Sequence, residues 1–126
     1  MIRAKDISVV VTTYNRRPFV KRAVDSIVAG TVLPGEIIVV DDGSTDGTEH
    51  ELATYTGIRY LYHSNRGISA SRNVGIRCAS GKWICFLDAD DIWAPRKLEL
   101  QQAYHDRYPD YCISQTQEVW IRQGRR

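Results

Sequence analysis

No stretch of the chain exceeds about six consecutive apolar residues, against the roughly 20 needed to cross a bilayer, so no membrane span is expected. An excess of one charge is also missing: Lys and Arg number 17, Asp and Glu 15, for a net +2. That balance argues against a protein that covers phosphate backbone, and nucleic acid is not an expected partner. The three cysteines, Cys78, Cys85 and Cys112, contain no CxxC pair, which argues against a disulfide framework and a zinc knuckle and leaves reduced core thiols. Nor does Met-Ile-Arg-Ala-Lys-Asp at the start hold the apolar core or cleavage site of a secretory signal, so a cytoplasmic address is expected. The familiar phosphate loops GxxxxGK[ST] and GxGxxG are absent. Gly67-Ile68-Ser69-Ala70-Ser71 begins like GxSxG but lacks the second glycine, which argues against a hydrolase. His50, His63 and His105 are isolated from one another and from any cysteine pair, and each reads as a surface or loop residue rather than a ligand.

What is present fits one domain, since 126 residues leave no room for a second. Ile7-Ser8-Val9-Val10-Val11-Thr12 is a β-branched run of the kind that forms a buried strand. From Arg17 the apolar positions Phe19, Val20, Ala23, Val24, Ile27 and Val28 make a helical stripe, with Pro18 in its first turn and Gly30 beyond its end. Glu36 to Val40 predicts a second strand, followed by the turn formers Asp41-Asp42-Gly43-Ser44-Thr45-Asp46-Gly47-Thr48. A short helix over Thr48 to Tyr55 is expected, with Thr48 and Glu51 as a capping box. Ile58 to Tyr62 predicts a third strand, Ile68 to Ala79 a helix, and Lys82 to Leu87 a fourth strand. A helix from Pro95 to before Pro109 and a last strand over Tyr111 to Ile121 complete the expectation. Four alternations of strand and helix predict an α/β domain with a mostly parallel sheet.

Open parallel sheets bind ligands at the carboxyl ends of their strands, where the polar loops of this chain fall. Asp88, Asp90 and Asp91 stand together after the fourth strand, and carboxylates this close repel one another unless a cation or protons intervene. A divalent ion such as Mg²⁺ or Mn²⁺ suits such a loop, with one or two carboxylates and substrate phosphate oxygens as ligands. At the end of the second strand, one of Asp41 and Asp42 could accept a hydrogen bond from a nucleobase or ribose. Gly43 allows a positive φ or close backbone approach to a ligand. Read alone, each acidic loop is equally a turn that caps the next helix; two of them in one crevice favour a site.

These segments together resemble the nucleotide-binding half of inverting family-2 glycosyltransferases of the GT-A fold. The resemblance rests on Ser8-Val9-Val10-Val11-Thr12-Thr13-Tyr14-Asn15-Arg16, on Ile38 to Thr48, on Asn65-Arg66-Gly67 with Ala70 to Ile76, and on Gly81 to Asp91. Order and spacing agree along residues 6 to 100. The resemblance implies a three-layer α/β/α, Rossmann-like nucleotide-diphospho-sugar transferase fold with a mostly parallel sheet. It implies that Thr12 and Tyr14 line a base pocket and that Asp41 accepts from the base, most often uracil. Arg72 would lie near the diphosphate, Asp88 near the ribose and metal shell, and Asp90 on Mn²⁺ or Mg²⁺. The activity implied is metal-dependent transfer of a sugar, with inversion, from a nucleoside-diphosphate sugar, most often a UDP-sugar, to a glycan, lipid or protein acceptor. Polysaccharide synthesis in the cytoplasm, peripheral at the inner membrane face, is the setting that goes with it.

Only about 35 residues follow Asp91, without the acidic loop or QxxRW-type element that carries acceptor binding and the general base in many members. Residues 1–126 are therefore expected to be the donor half of a truncated GT-A domain, with the acceptor half missing and the base not in this chain. An exposed edge left by the missing half would favour self-association as a homo-oligomer. Two rival readings remain: a non-catalytic nucleotide-sugar-binding module, and a sugar nucleotidyltransferase. The latter is disfavoured because Thr12-Thr13-Tyr14-Asn15 lacks the glycine-rich basic loop that grips a triphosphate. Arg122, Arg125 and Arg126 read as a solvated basic tail.

Overall fold

Strands covered on both faces read as unbroken β-branched runs, and β1 (Ile7–Thr13) is buried at all seven positions. It is flanked by β2 (Glu36–Asp41) and β4 (Trp83–Asp88), with β3 (Ile58–Tyr62) outside β2. The order β3-β2-β1-β4 is parallel throughout. Between them run α1 (Arg17–Val28), α2 (Thr48–Leu52), α3 (Ile68–Cys78) and, after β4, α4 (Lys97–Arg107). The computed structural model describes residues 1–121; the basic tail of Arg122, Arg125 and Arg126 lies outside the described residues.

Alternation along the strands divides the core in two. Val9, Val11, Ile37 and Val39 face α1 through Val20, Val24 and Ile27, with Leu52 of α2 and Leu98 of α4 completing that layer. Val10, Ile38 and Val40 face the other way, against Val74 and Cys78 of α3. The domain is thus the three-layer α/β/α arrangement expected. Gly75 lets α3 approach closely, because a Cβ there would overlap the side chain of Val10.

Several local expectations are corrected, the first at Cys112, which is exposed rather than a core thiol because the segment that carries it packs on no sheet face. The helix after β2 ends at Leu52, and Thr48 does not cap it: Gly47, at φ 85°, holds the N-cap position. Asp46, the residue before Gly47, ties the first turn down: its Oδ1 accepts the Thr48 amide at 3.2 Å and the Thr48 hydroxyl at 2.5 Å, while its Oδ2 accepts the Arg17 amide at 2.9 Å. Burial alone would raise the Asp46 carboxyl pKa, but these donors outweigh it and hold it low. The last helix starts at Lys97 rather than Pro95. Tyr111 to Ile121 forms no strand; its residues lie alongside α4 through Lys97 to Thr116 (2.8 Å), Gln101 to Ser114 (3.0 Å) and His105 to Tyr111 and Ser114 (2.8 Å each). His105 is accordingly buried rather than a surface residue, with its ring 4.5 Å from that of Trp83.

Candidate functional site at the carboxyl edge of the sheet

Strand register decides which loop residues can meet. Thr12 pairs with Asp88, and its hydroxyl donates to Asp88 Oδ1 at 3.1 Å. From α3, Arg72 Nη2 reaches the same oxygen at 3.3 Å, and its guanidinium carbon stands 5.9 Å from the centre of the Phe86 ring. Thr12, Arg72 and Asp88 are thereby brought together. The ion pair is half exposed on both sides, so it holds the arginine only loosely. Arg72 Nε is buried and has no partner among the described residues.

Thr13 pairs with Asp41, which is fully buried. Its Oδ1 accepts the Ser44 amide at 2.9 Å, and its Oδ2 accepts the hydroxyl of Tyr60. Burial, together with that hydrogen bond and the Asp41 charge, pushes the Tyr60 phenol far up, so it remains a donor. The first loop is tied to the second: the Asn15 amide donates to Ser44 Oγ, and Asn15 Oδ1 accepts the Thr45 amide, each at 2.8 Å. Tyr14 stands exposed beside this stitch. A groove of about 270 Å³ next to Asp41 is lined by Ser44, Thr48, Tyr60 and Tyr62. Gly43 has φ +88°, and a Cβ there would lie 2.8 Å from the Asn65 nitrogen, so the third loop rests directly on it.

Asp42, which the sequence offered only as the alternative to Asp41 for accepting from a nucleobase or ribose, instead organises that third loop. Its carboxylate accepts the amides of Arg66 (2.7 Å) and Gly67 (3.0 Å) and the side chain of Asn65 (3.3 Å). His63 lies in a loop, as expected, but its ring is turned inward. Its Nδ1 lies 2.7 Å from the Ser64 carbonyl and 3.5 Å from Asp42 Oδ1, and its Nε2 lies 3.1 Å from Ser71 Oγ. This Asp-His-Ser line is no nucleophile triad, because Ser71 is fully buried inside α3. The only forewarning in the sequence was the adjacency of two acids at a strand end, which does not tell which of them turns inward.

In the loop after β4, Asp90 and Asp91 are exposed, and Asp90 makes no hydrogen bond among the described residues. Burial and the charges of Asp90, Asp88 and Glu118 push the Asp91 carboxyl upward. No group of three His, Cys, Asp or Glu residues is placed to hold a metal ion among the described residues. Nor is any helix among them long and apolar enough to cross a membrane.

Residues 8–124 match the model of the family described as Glycosyl transferase family 2. An uncharacterized glycosyltransferase of Nostoc sp. is 38% identical over 98 residues, covering 74% of this chain and 30% of that protein. Among solved structures, residues 1-349 of S. aureus TarS in complex with UDP are similar with a TM-score of 0.75 and 28% identity, over 82% of this chain and 32% of that one. The mannosyltransferase PcManGT of Pyrobaculum calidifontis, in complex with GDP-Man and Mn²⁺, is similar with a TM-score of 0.67 and 28% identity, over 74% of this chain and 30% of that one. The chain spans about a third of the length of these proteins.

Proposed function

Because the chain belongs to glycosyl transferase family 2 and has the GT-A architecture of its structural neighbours, we propose that it is the donor-binding half of an inverting sugar transferase. The donor is a nucleoside-diphosphate sugar, with uracil the favoured base, and the acceptor is a hydroxyl of a glycan, lipid or protein. The UDP held by TarS supports the donor class and the base, while the GDP-Man and Mn²⁺ held by PcManGT support the donor class and a metal. The observation that carries the reading is the convergence of Thr12 and Arg72 on Asp88, which puts a hydroxyl, a cationic fork and a carboxylate at one strand end.

Thr12 and Tyr14 line the base pocket, and Asp41 accepts from the base edge. Gly43 lets the nucleotide approach backbone. Arg72 aims its planar donors at the diphosphate oxygens, a role suited to a fork and not to a point charge. Asp88 accepts from the ribose. The residues after β4 fit a divalent cation: the exposed carboxylate of Asp90 has no other partner among the described residues, and Asp88, Asp90 and Asp91 stand within four residues of one another, a concentration of negative charge that a cation relieves. Asp90 would hold Mn²⁺ or Mg²⁺, which offsets charge that builds on the departing diphosphate. The proton of the acceptor hydroxyl needs a base, and no residue of this chain is assigned that role.

Isothermal calorimetry with UDP, with and without Mn²⁺, and with GDP as the base control, tests the reading. Saturable UDP binding strengthened by Mn²⁺ is expected; absence of binding overturns it. Equal affinity for GDP overturns the preference for uracil alone.

A further inference from the structure

We infer that Asp42 is a positioning residue that holds α3, and through it Arg72, at the working distance from the donor diphosphate; this rests on the donor site proposed above. Arg72 is the only described cation bonded to Asp88, and it reaches that residue from α3, a helix packed over β1 and β2. Its place therefore depends on where α3 lies along the sheet. Two kinds of contact fix that helix. Along its later turns, Gly75 rests on Val10, with Val74 and Cys78 packed against Val10, Ile38 and Val40, and none of these residues lies in the first turn. At its start, the amides of Arg66 and Gly67, the latter the N-cap, are held by the two oxygens of Asp42. One turn later, Ser71 is held by His63, whose ring also faces Asp42. Asp42 in turn is anchored to the sheet, since its own amide donates to the Thr13 carbonyl at 2.9 Å and its side chain is buried. A carboxylate can satisfy both amides at once because each oxygen accepts; an amide side chain has only one acceptor and offers two donors to the same space. Arg72 directly follows Ser71, so a shift of the start of α3 is felt at the guanidinium.

Asp42→Asn is the test, with two readouts. Hydrogen exchange at the amides of residues 66 to 71 reports the brace without any ligand, and at least about a tenfold acceleration is expected there, with the strand amides unchanged. Calorimetry then compares UDP with uridine, both with folded protein. The UDP affinity is expected to fall about tenfold while uridine affinity changes less than about twofold, because only the diphosphate needs Arg72. A purely structural Asp42 would lower both ligands alike or neither. Unaltered exchange overturns the brace; accelerated exchange with the two affinities moving together overturns the link to Arg72. If the wild-type chain binds neither ligand, the donor reading fails and with it the link, while the exchange result still decides the brace. Arg72→Ala is the reference: it should lose UDP affinity without accelerating exchange at Arg66 and Gly67.

Discussion

Asp41 and Asp88 end the two strands on either side of β1, yet they stand on opposite faces of the sheet. Asp41 lies beside Thr13 and Asp88 beside Thr12, and successive residues of a strand point opposite ways. The two carboxylates consequently have separate partners, Tyr60 and Ser44 for one, Thr12 and Arg72 for the other. The two side chains share no hydrogen-bond partner among the described residues, and in the donor reading proposed above each has its own part of the nucleotide. Base reading and phosphate handling should be separable by mutation.

Asp41→Ala is expected to weaken uridine binding about tenfold, the worth of one hydrogen bond of about 1.4 kcal/mol, and to do so equally with and without Mn²⁺. The same change leaves the Tyr60 hydroxyl and the Ser44 amide without their acceptor in a buried place, so stability falls by about 1–3 kcal/mol. Calorimetry on the folded fraction reads the first effect and urea denaturation the second. Unchanged uridine affinity removes Asp41 from the base pocket.

Asp90→Ala should do the reverse. The side chain is exposed and bonded to nothing among the described residues, so stability is expected to stay within about 0.5 kcal/mol of wild type. The Mn²⁺-dependent part of UDP affinity should disappear, leaving the metal-free affinity in place. Unfolding of the variant, with the metal effect retained in the folded fraction, would make Asp90 structural. Combined with Asp41→Ala, the losses in UDP affinity should add to within about 0.5 kcal/mol.

A pH dependence is expected at the other end of the strands. Glu36 Oε1 accepts the hydroxyl of Ser8 at 2.6 Å and the amide and hydroxyl of Ser80 at 2.5 and 3.0 Å, joining β2 to β1 and to the turn before β4. Burial raises the carboxyl pKa, but the Ser8 and Ser80 hydrogen bonds and the Arg59 charge outweigh it, and the net shift is below the usual 4.5. A depressed pKa contributes stability that is present above the unfolded value and lost as the pH falls through the folded one. Glu36→Gln should therefore cost about 1 kcal/mol at pH 7, discounted for partial exposure, and the gap to wild type should close as the pH drops below 4.5. Denaturation midpoints from pH 7 to 3 measure it; a gap that widens on acidification is the contrary result.

The four strands and four helices were legible, apart from some of their ends, because each carries its own signal: the β-branched run of Val9 to Val11, the stripe of Val20, Val24 and Ile27, and the turn formers between them. The segment from Tyr111 to Ile121 misled, since a strand needs a partner edge as well as a pattern, and Thr116, Ser114 and Tyr111 instead find polar partners on α4. At the site, Thr12, Asp88 and Arg72 were named through the family resemblance; register brings Thr12 to Asp88, and Arg72 reaches them from α3. The roles of Asp42 and His63 were not legible, because a buried carboxylate that holds backbone amides is defined by loops distant in sequence, and no spacing rule connects residue 42 to residues 66 and 67.

Gly75→Ala gives the sharpest check on how α3 is seated. In an isolated helix the substitution would be favourable by up to about 1 kcal/mol, since alanine is the better helix former. Here the added Cβ would overlap Val10, a β-branched side chain in the central strand with no exposure, flanked in register by Ile38 and Phe86. Such a side chain has little rotamer freedom, and the close-packed layer leaves nowhere for it to move. The helix must lift, at a net cost of about 1–3 kcal/mol in spite of the propensity gain. Lifting α3 also draws Arg72 away from Asp88, so UDP affinity should fall with stability. Val10→Ala in the same background removes the overlapping methyls and should recover UDP affinity, even though it leaves a smaller core. Urea midpoints with parallel calorimetry separate the two effects, and a rise in stability for Gly75→Ala alone would show that α3 does not sit against Val10.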